Sequence, residues 1–156
     1  SGMARVGIVG EEERMSGTVI SNTVNLSSRL ESLTKKYSAA MIISKDTLDR
    51  MSSPDSLNMR YLGMVQVAGV NEVKALYEVL ECLDDDRRNE RTAGKDDFRE
   101  AVREFHLGNA EKALSIFEKL AAESVSDPAP RLYADTIIEK LKSGDKEHNV
   151  FRFLSK

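Results

Sequence analysis

The sequence has 156 residues, with 23 basic against 26 acidic side chains and a net charge of −3. Leu, Ile, Val and Phe make up about a quarter of it, enough for a real core in a chain that buries roughly 70% of its unfolded surface, which argues against disorder. No basic run concentrates the charge that neutralising phosphates requires, so no nucleic-acid partner is expected. One cysteine, Cys82, rules out an internal disulfide, and with His106 and His148 as the only histidines an ordinary zinc site is excluded. Apolar runs such as 39–43 are far short of the ~20 residues of a membrane span. Nothing at the start has the order of an export signal. A cytoplasmic chain is expected, with room for a membrane anchor in sequence outside it.

Taken in order, residues 3–9 predict a short strand. Leu26, Leu30, Leu33 and Tyr37 then fall at i, i+4, i+7 and i+11, the apolar stripe of an amphipathic helix that Ser21, Asn22 or Thr23 would cap. Residues 39–43 predict a second strand. The alternation over 59–67 predicts a third, with Met59, Tyr61, Val65 and Val67 on one face. After turn residues at 69–71, the stretch 75–80 fits a returning strand, but Val73, Leu76, Tyr77 and Leu80 also fit a helix.

A charge-dense stretch, 84–96, reads as a linker. Beyond it the periodicity is helical. Residues 98–105 predict a helix stopped at Gly108, and Ala110, Ala113, Leu114, Phe117, Leu120 and Ala121 mark the next. A break at Asp127 and Pro128 precedes a third helix carrying Leu132, Tyr133, Ile137 and Leu141. Helix, glycine turn, helix, proline turn, helix is the rhythm of stacked helical hairpins. The expected organisation is therefore 1–83, a linker over 84–96, and a helical region over 97–156.

The residues most suggestive of chemistry are Asn25 and Arg29. At i and i+4 they share one helix face, and an amide beside a guanidinium fork near a helix N-terminus suits a phosphate or a ribose hydroxyl. Spacing alone is equally met by a surface arginine and a first-turn asparagine. The surrounding string is more specific: Gly7-x-x-Gly10, Arg14, Thr18-Val19-Ile20 and Val24-Asn25-x-x-x-Arg29-Leu30-Glu31, followed by Met41-Ile42-Ile43-Ser44, Tyr61-Leu62-Gly63 and Ala75-Leu76-Tyr77-Glu78-Val79-Leu80. Over residues 1–81 it resembles the C-terminal half of the class III adenylate and guanylate cyclase catalytic domain.

That resemblance implies an α+β fold: a partial ferredoxin-like sheet with one main helix, here followed by an all-α helical-hairpin segment. It tips residues 75–80 towards strand. It also implies that Asn25 positions the ribose, that Arg29 neutralises charge developing on the α-phosphate, and that Thr18 stands where the purine is read, as adenine. The substrate would be ATP, the product cyclic AMP for intracellular signalling, and the site would form between two chains of a homodimer. The family's two Mg or Mn ions are held by aspartates in the preceding half of its domain. Those aspartates are not in this sequence, so the 156 residues alone are expected to bind no metal and to be inactive.

Two positions depart from the family's pattern: Val70 stands where a triphosphate-binding lysine is usual, and Ser21 where glycine is preferred. They leave open an alternative, a degenerate homologue kept as a dimerisation and interaction module. The helical region resembles tetratricopeptide hairpins through Ala101, Gly108, Ala113 and Phe117, which implies a protein partner; covering the first half is the other use such helices could have. The acidic runs 11–13 and 84–86 read as solvated loops, Cys82 as a small apolar residue at a strand end, and His106 as a surface residue at a helix end.

Overall fold

A computed structural model describes residues 5–9, 16–20, 22–67, 73–144 and 150–153. Strand β1 (Arg5–Val9) pairs antiparallel with β2 (Ser16–Ile20), from Arg5 opposite Ile20 to Val9 opposite Ser16. Helix α1 (Asn22–Tyr37) follows, then β3 (Ile42–Ser44), which starts later than residues 39–43 suggest, and the short α2 (Lys45–Leu48). A 3-10 turn (Pro54–Ser56) leads to β4 (Met59–Val67) and β5 (Val73–Val79). Helices α3 (Asp85–Ala93), α4 (Lys95–His106), α5 (Ala110–Glu123) and α6 (Ala129–Ser143) precede a last strand, β6 (Phe151–Phe153).

The fold class is α+β. Strands β3, β5 and β4 form an antiparallel sheet in that spatial order, and β6 adds to the far side of β4 as a parallel strand. Of residues 75–80, all but Leu80 resolve as strand, because Val73 to Val79 complete the ladder of β4, and Leu80 starts a 3-10 turn. The stripe of α1 faces inward as its spacing predicts: Leu33 and Tyr37 are buried, and Leu26 and Leu30 pack against the same core. That core runs without a break from these residues through Leu62, Val65 and Leu76 to Phe98, Phe117, Tyr133 and Phe151. Its centre is aromatic, with Phe151 ring centroids 4.1 Å from Tyr133 and 4.2 Å from Phe105.

Three expectations are corrected. First, β4 does not present one apolar face. A bulge between Tyr61 and Gly63 shifts the register against β5, and it reverses which alternate residues point inward. Arg60 and Leu62 are buried before the bulge, Gly63 and Val65 after it, whereas Tyr61 pairs with Tyr77 on the other face at 5.2 Å.

Second, the stretch expected as a linker is helical. Asp84 caps α3 by accepting from the Arg87 N–H at 3.0 Å, and Asp85 and Asp86 occupy the first turn, where carboxylates favour the helix dipole. Arg91, in the last turn, is buried. Third, the helical region 97–156 ends in a strand, not a helix. Phe151 is fully buried, and β6 runs beside β4 from Val65 opposite Phe151 to Val67 opposite Phe153.

The three helices read from periodicity match α4, α5 and α6. Gly108 ends the first with φ +89°, and Asp127 begins the break before the third. That break is fastened to α3: Glu90 accepts from the Ser124 and Ser126 hydroxyls, which hold its carboxyl below the usual carboxylate range. A depressed folded pKa contributes stability above the ordinary value of about 4.3 that is lost as pH falls through the folded one. Melting temperatures of the native chain and Glu90→Gln are therefore expected to differ at neutral pH and to converge in acid. A gap that stays constant into acid would contradict this account.

Candidate functional site

Thr18 lies on β2 opposite Gly7, Asn25 in the first turn of α1, and Arg29 one turn further on. The β2–α1 unit thus follows Thr18 directly with the helix face that carries positions 25 and 29. The side chains of Thr18 and Asn25 lie outside the described residues, as do Ser21, Glu11 to Glu13 and Val70. Arg29 is half-buried beside the apolar stripe. No acidic side chain sits in the first turn of α1, and Glu31 is committed to Lys35 at 2.8 Å. Among the described residues no carboxylate pairs with Arg29. The N-terminal half of α1 thus carries one basic side chain, Arg29, behind a first turn without acid.

What holds α1 in place was not legible in the sequence. Its last residue, Tyr37, is fully buried, with its hydroxyl 3.1 Å from that of Tyr133 on α6. Tyr133 donates to the Leu62 carbonyl at 2.5 Å, so Tyr37 is the donor in the pair. Burial pushes both phenols above the ordinary tyrosine range, which keeps them protonated and this relay intact.

Beneath it lies a buried quartet of charges. Arg60 on β4 donates to Glu78 on β5 through Nε (2.9 Å) and Nη2 (2.6 Å), and to Asp127 in the α5–α6 turn through Nη1 and through Nη2 (3.2 Å). Arg91 on α3 donates to Glu78 through Nη1 and to the Ser38 carbonyl through Nη2 at 3.1 Å. Two guanidinium and two carboxylate groups cancel, and the Arg60 guanidinium also lies 4.5 Å from the centre of the Phe98 ring. The Asp127 and Glu78 carboxylates hold the Arg60 pKa up against the burial that would lower it.

The remaining candidates have structural uses. Asp84 and Asp85 are engaged with Arg87 and Arg88, and among the described residues no cluster of three metal-ligating side chains exists. Cys82 is not a packed residue at a strand end: it is exposed, in the 3-10 turn (Leu80–Cys82) after β5. Nor is His106 simply a surface group. Half-buried, it accepts the Met64 N–H next to the bulge through Nε2 at 3.2 Å.

No protein-family model matches the chain. Curated relatives do. The chain is 28% identical over 144 residues to the terminal-differentiation specific adenylate cyclase of Dictyostelium discoideum, a match covering 92% of this chain and 7% of that protein. It is 37% identical over 79 residues to the adenylate cyclase of Anabaena cylindrica, covering 50% of this chain and 16% of the relative. With adenylate cyclase 1 of Rhizobium meliloti it shares 34% over 80 residues, covering 51% and 12%. The chain thus spans less than a fifth of the length of these relatives, and the Dictyostelium match is long enough to take in residues of both halves. Together these similarities support a relationship between this chain and the adenylate cyclases.

Proposed function

We propose that the chain carries the nucleotide-handling helix of a class III adenylate cyclase, which converts ATP to cyclic AMP and pyrophosphate for intracellular signalling. The observation that carries this reading is the β2–α1 unit, in which positions 25 and 29 share one face of a helix whose first turn holds no acid. Kinship with adenylate cyclases supports it. In the reaction the ribose 3′-oxygen attacks the α-phosphorus and loses its proton, while the bond from that phosphorus to the bridging oxygen breaks. Pyrophosphate leaves with the electron pair. Asn25 fixes the ribose, Thr18 meets the adenine, and the Arg29 fork meets the charge that grows on the α-phosphate oxygens.

Among the described residues no cluster of carboxylates could hold the family's Mg or Mn ions. In this reading their aspartates come from sequence outside these 156 residues, the sheet is part of a ferredoxin-like one, and the working unit is a homodimer. The tetratricopeptide-like helices then act on the catalytic half or on a protein partner.

The test is cyclic AMP formation from ATP with excess manganese. The chain alone is expected to give none. Mixed with a cyclase half bearing the family's aspartates it is expected to turn over, and Arg29→Ala should lower that rate by ~10²-fold or more. A silent mixture, beside a control pair of halves that works, would favour the second reading. There the chain is a degenerate homologue used for dimerisation and protein contacts, as Val70 in place of lysine suggests.

A further inference from the structure

Helix α1 is held most deeply at its C-terminal end, where Leu33 and Tyr37 are buried, whereas Leu26 and Leu30 nearer its start are only partly buried against the same core and Val24, Ser27 and Ser28 are exposed. Ser38, the next residue, has φ +49° and ends the helix in a left-handed cap, with the Ala39 N–H on the Thr34 carbonyl at 2.9 Å. The helical layer adds two holds on this end. Arg91 of α3 donates to the Ser38 carbonyl at 3.1 Å, and Tyr133 of α6 accepts the Tyr37 hydroxyl, its ring centroid 5.9 Å from that of Tyr37. Arg91 is itself fixed by Glu78 and by the neighbouring Asp127, whose Oδ1 lies 3.6 Å from its Nε.

Asn25 stands twelve residues from Tyr37, about 18 Å along a helix rising 1.5 Å per residue. A tilt of about 5° at the held end would move Asn25 by roughly 1.5 Å, and misplacements of ~1 Å can cost ~10²-fold in rate. We propose that Tyr133 and Arg91 are positioning residues: the layer of α3 and α6 sets where α1 holds Asn25 and Arg29, so that a shift of this layer changes turnover without any contact to the nucleotide. The effect on turnover rests on the proposed cyclase reading; the anchoring of α1 does not.

Amide hydrogen exchange of the whole chain tests the anchoring. Tyr37→Phe deletes one hydroxyl and leaves the Tyr133 bond to Leu62 in place. It is expected to speed exchange over residues 30–37 by about 10-fold, the equivalent of one buried hydrogen bond, and to alter β5 by less than about 2-fold. Leu120→Ala, which truncates the core on α5, should speed both regions by one common factor. If residues 30–37 in Tyr37→Phe respond no more than β5, the anchoring is overturned.

Turnover of the reconstituted cyclase tests the positioning. Tyr133→Phe and Tyr37→Phe are each expected to lower kcat by roughly 10-fold with KM for ATP within about 2-fold, the mark of geometry lost at the reacting atoms. Faster α1 exchange with unchanged kcat would overturn the positioning role. Absence of cyclic AMP from the reconstituted wild type would instead overturn the cyclase reading, with the exchange data still deciding whether α1 is anchored.

Discussion

Glu78→Ala is expected to cost about 3–5 kcal/mol of stability, the penalty of leaving a buried ionic cluster unbalanced. Glu78 is fully buried and accepts from Arg60 at 2.6 and 2.9 Å and from Arg91. Without it, two guanidinium groups share the single carboxylate of Asp127, and one buried positive charge has no countercharge. Glu78→Gln should fare little better, because an amide accepts hydrogen bonds but carries no charge. Replacing all four members with apolar residues of similar volume should be nearly neutral, since the quartet loses in desolvation most of what it gains in attraction. Urea denaturation followed by circular dichroism measures all three variants. A loss under about 1 kcal/mol for Glu78→Ala would mean that the guanidinium groups find other acceptors, and the account of the quartet would fail.

Gly63→Ala is the second large effect. At φ +103° a Cβ is strained by ~1–3 kcal/mol before any contact is counted. The added carbon would stand 3.0 Å from Val102 Cγ1, 3.2 Å from His106 Nε2 and 3.4 Å from Phe151 Cδ2, so it pushes on α4 and β6 together. Moving His106 also releases the Met64 N–H, at a further cost of ~1 kcal/mol. The melting temperature is expected to fall by about 10 °C, as roughly 3 kcal/mol does in a domain of this size. A fall under about 3 °C would show that the bulge relaxes to accept a side chain.

The same bulge explains what could be read in the sequence and what could not. The Leu26, Leu30, Leu33 and Tyr37 stripe and the three later helices are periodic over several turns, and period is what burial of one face imposes. In β4 the period holds only up to Tyr61, where an extra residue reverses it; an isolated glycine was the one available sign. Arg60 and Arg91 are invisible to the same logic, because periodicity counts charges as outward and both are buried. Residues 84–96 therefore read as a linker although they supply a helix and a member of the quartet. β6 was missed because strand pairing far along the chain leaves only a local trace, here Val150, Phe151 and Phe153 around Arg152. At the candidate site, the spacing of Asn25 and Arg29 was legible. The clasp on Tyr37 and Ser38 was not, since it depends on residues from α3 and α6.

Strand β6 has a consequence for how the molecule assembles. Its partner β4 leaves the ribosome long before it, and until residues 151–153 arrive that side of the hairpin offers open backbone donors and acceptors to any strand nearby. The whole helical layer is also translated in between, so closing the sheet brings together segments distant in sequence, a slow step for loop-closure reasons. Nascent chains are thus most vulnerable to mispairing in the interval after the helices have formed and before β6 docks on β4.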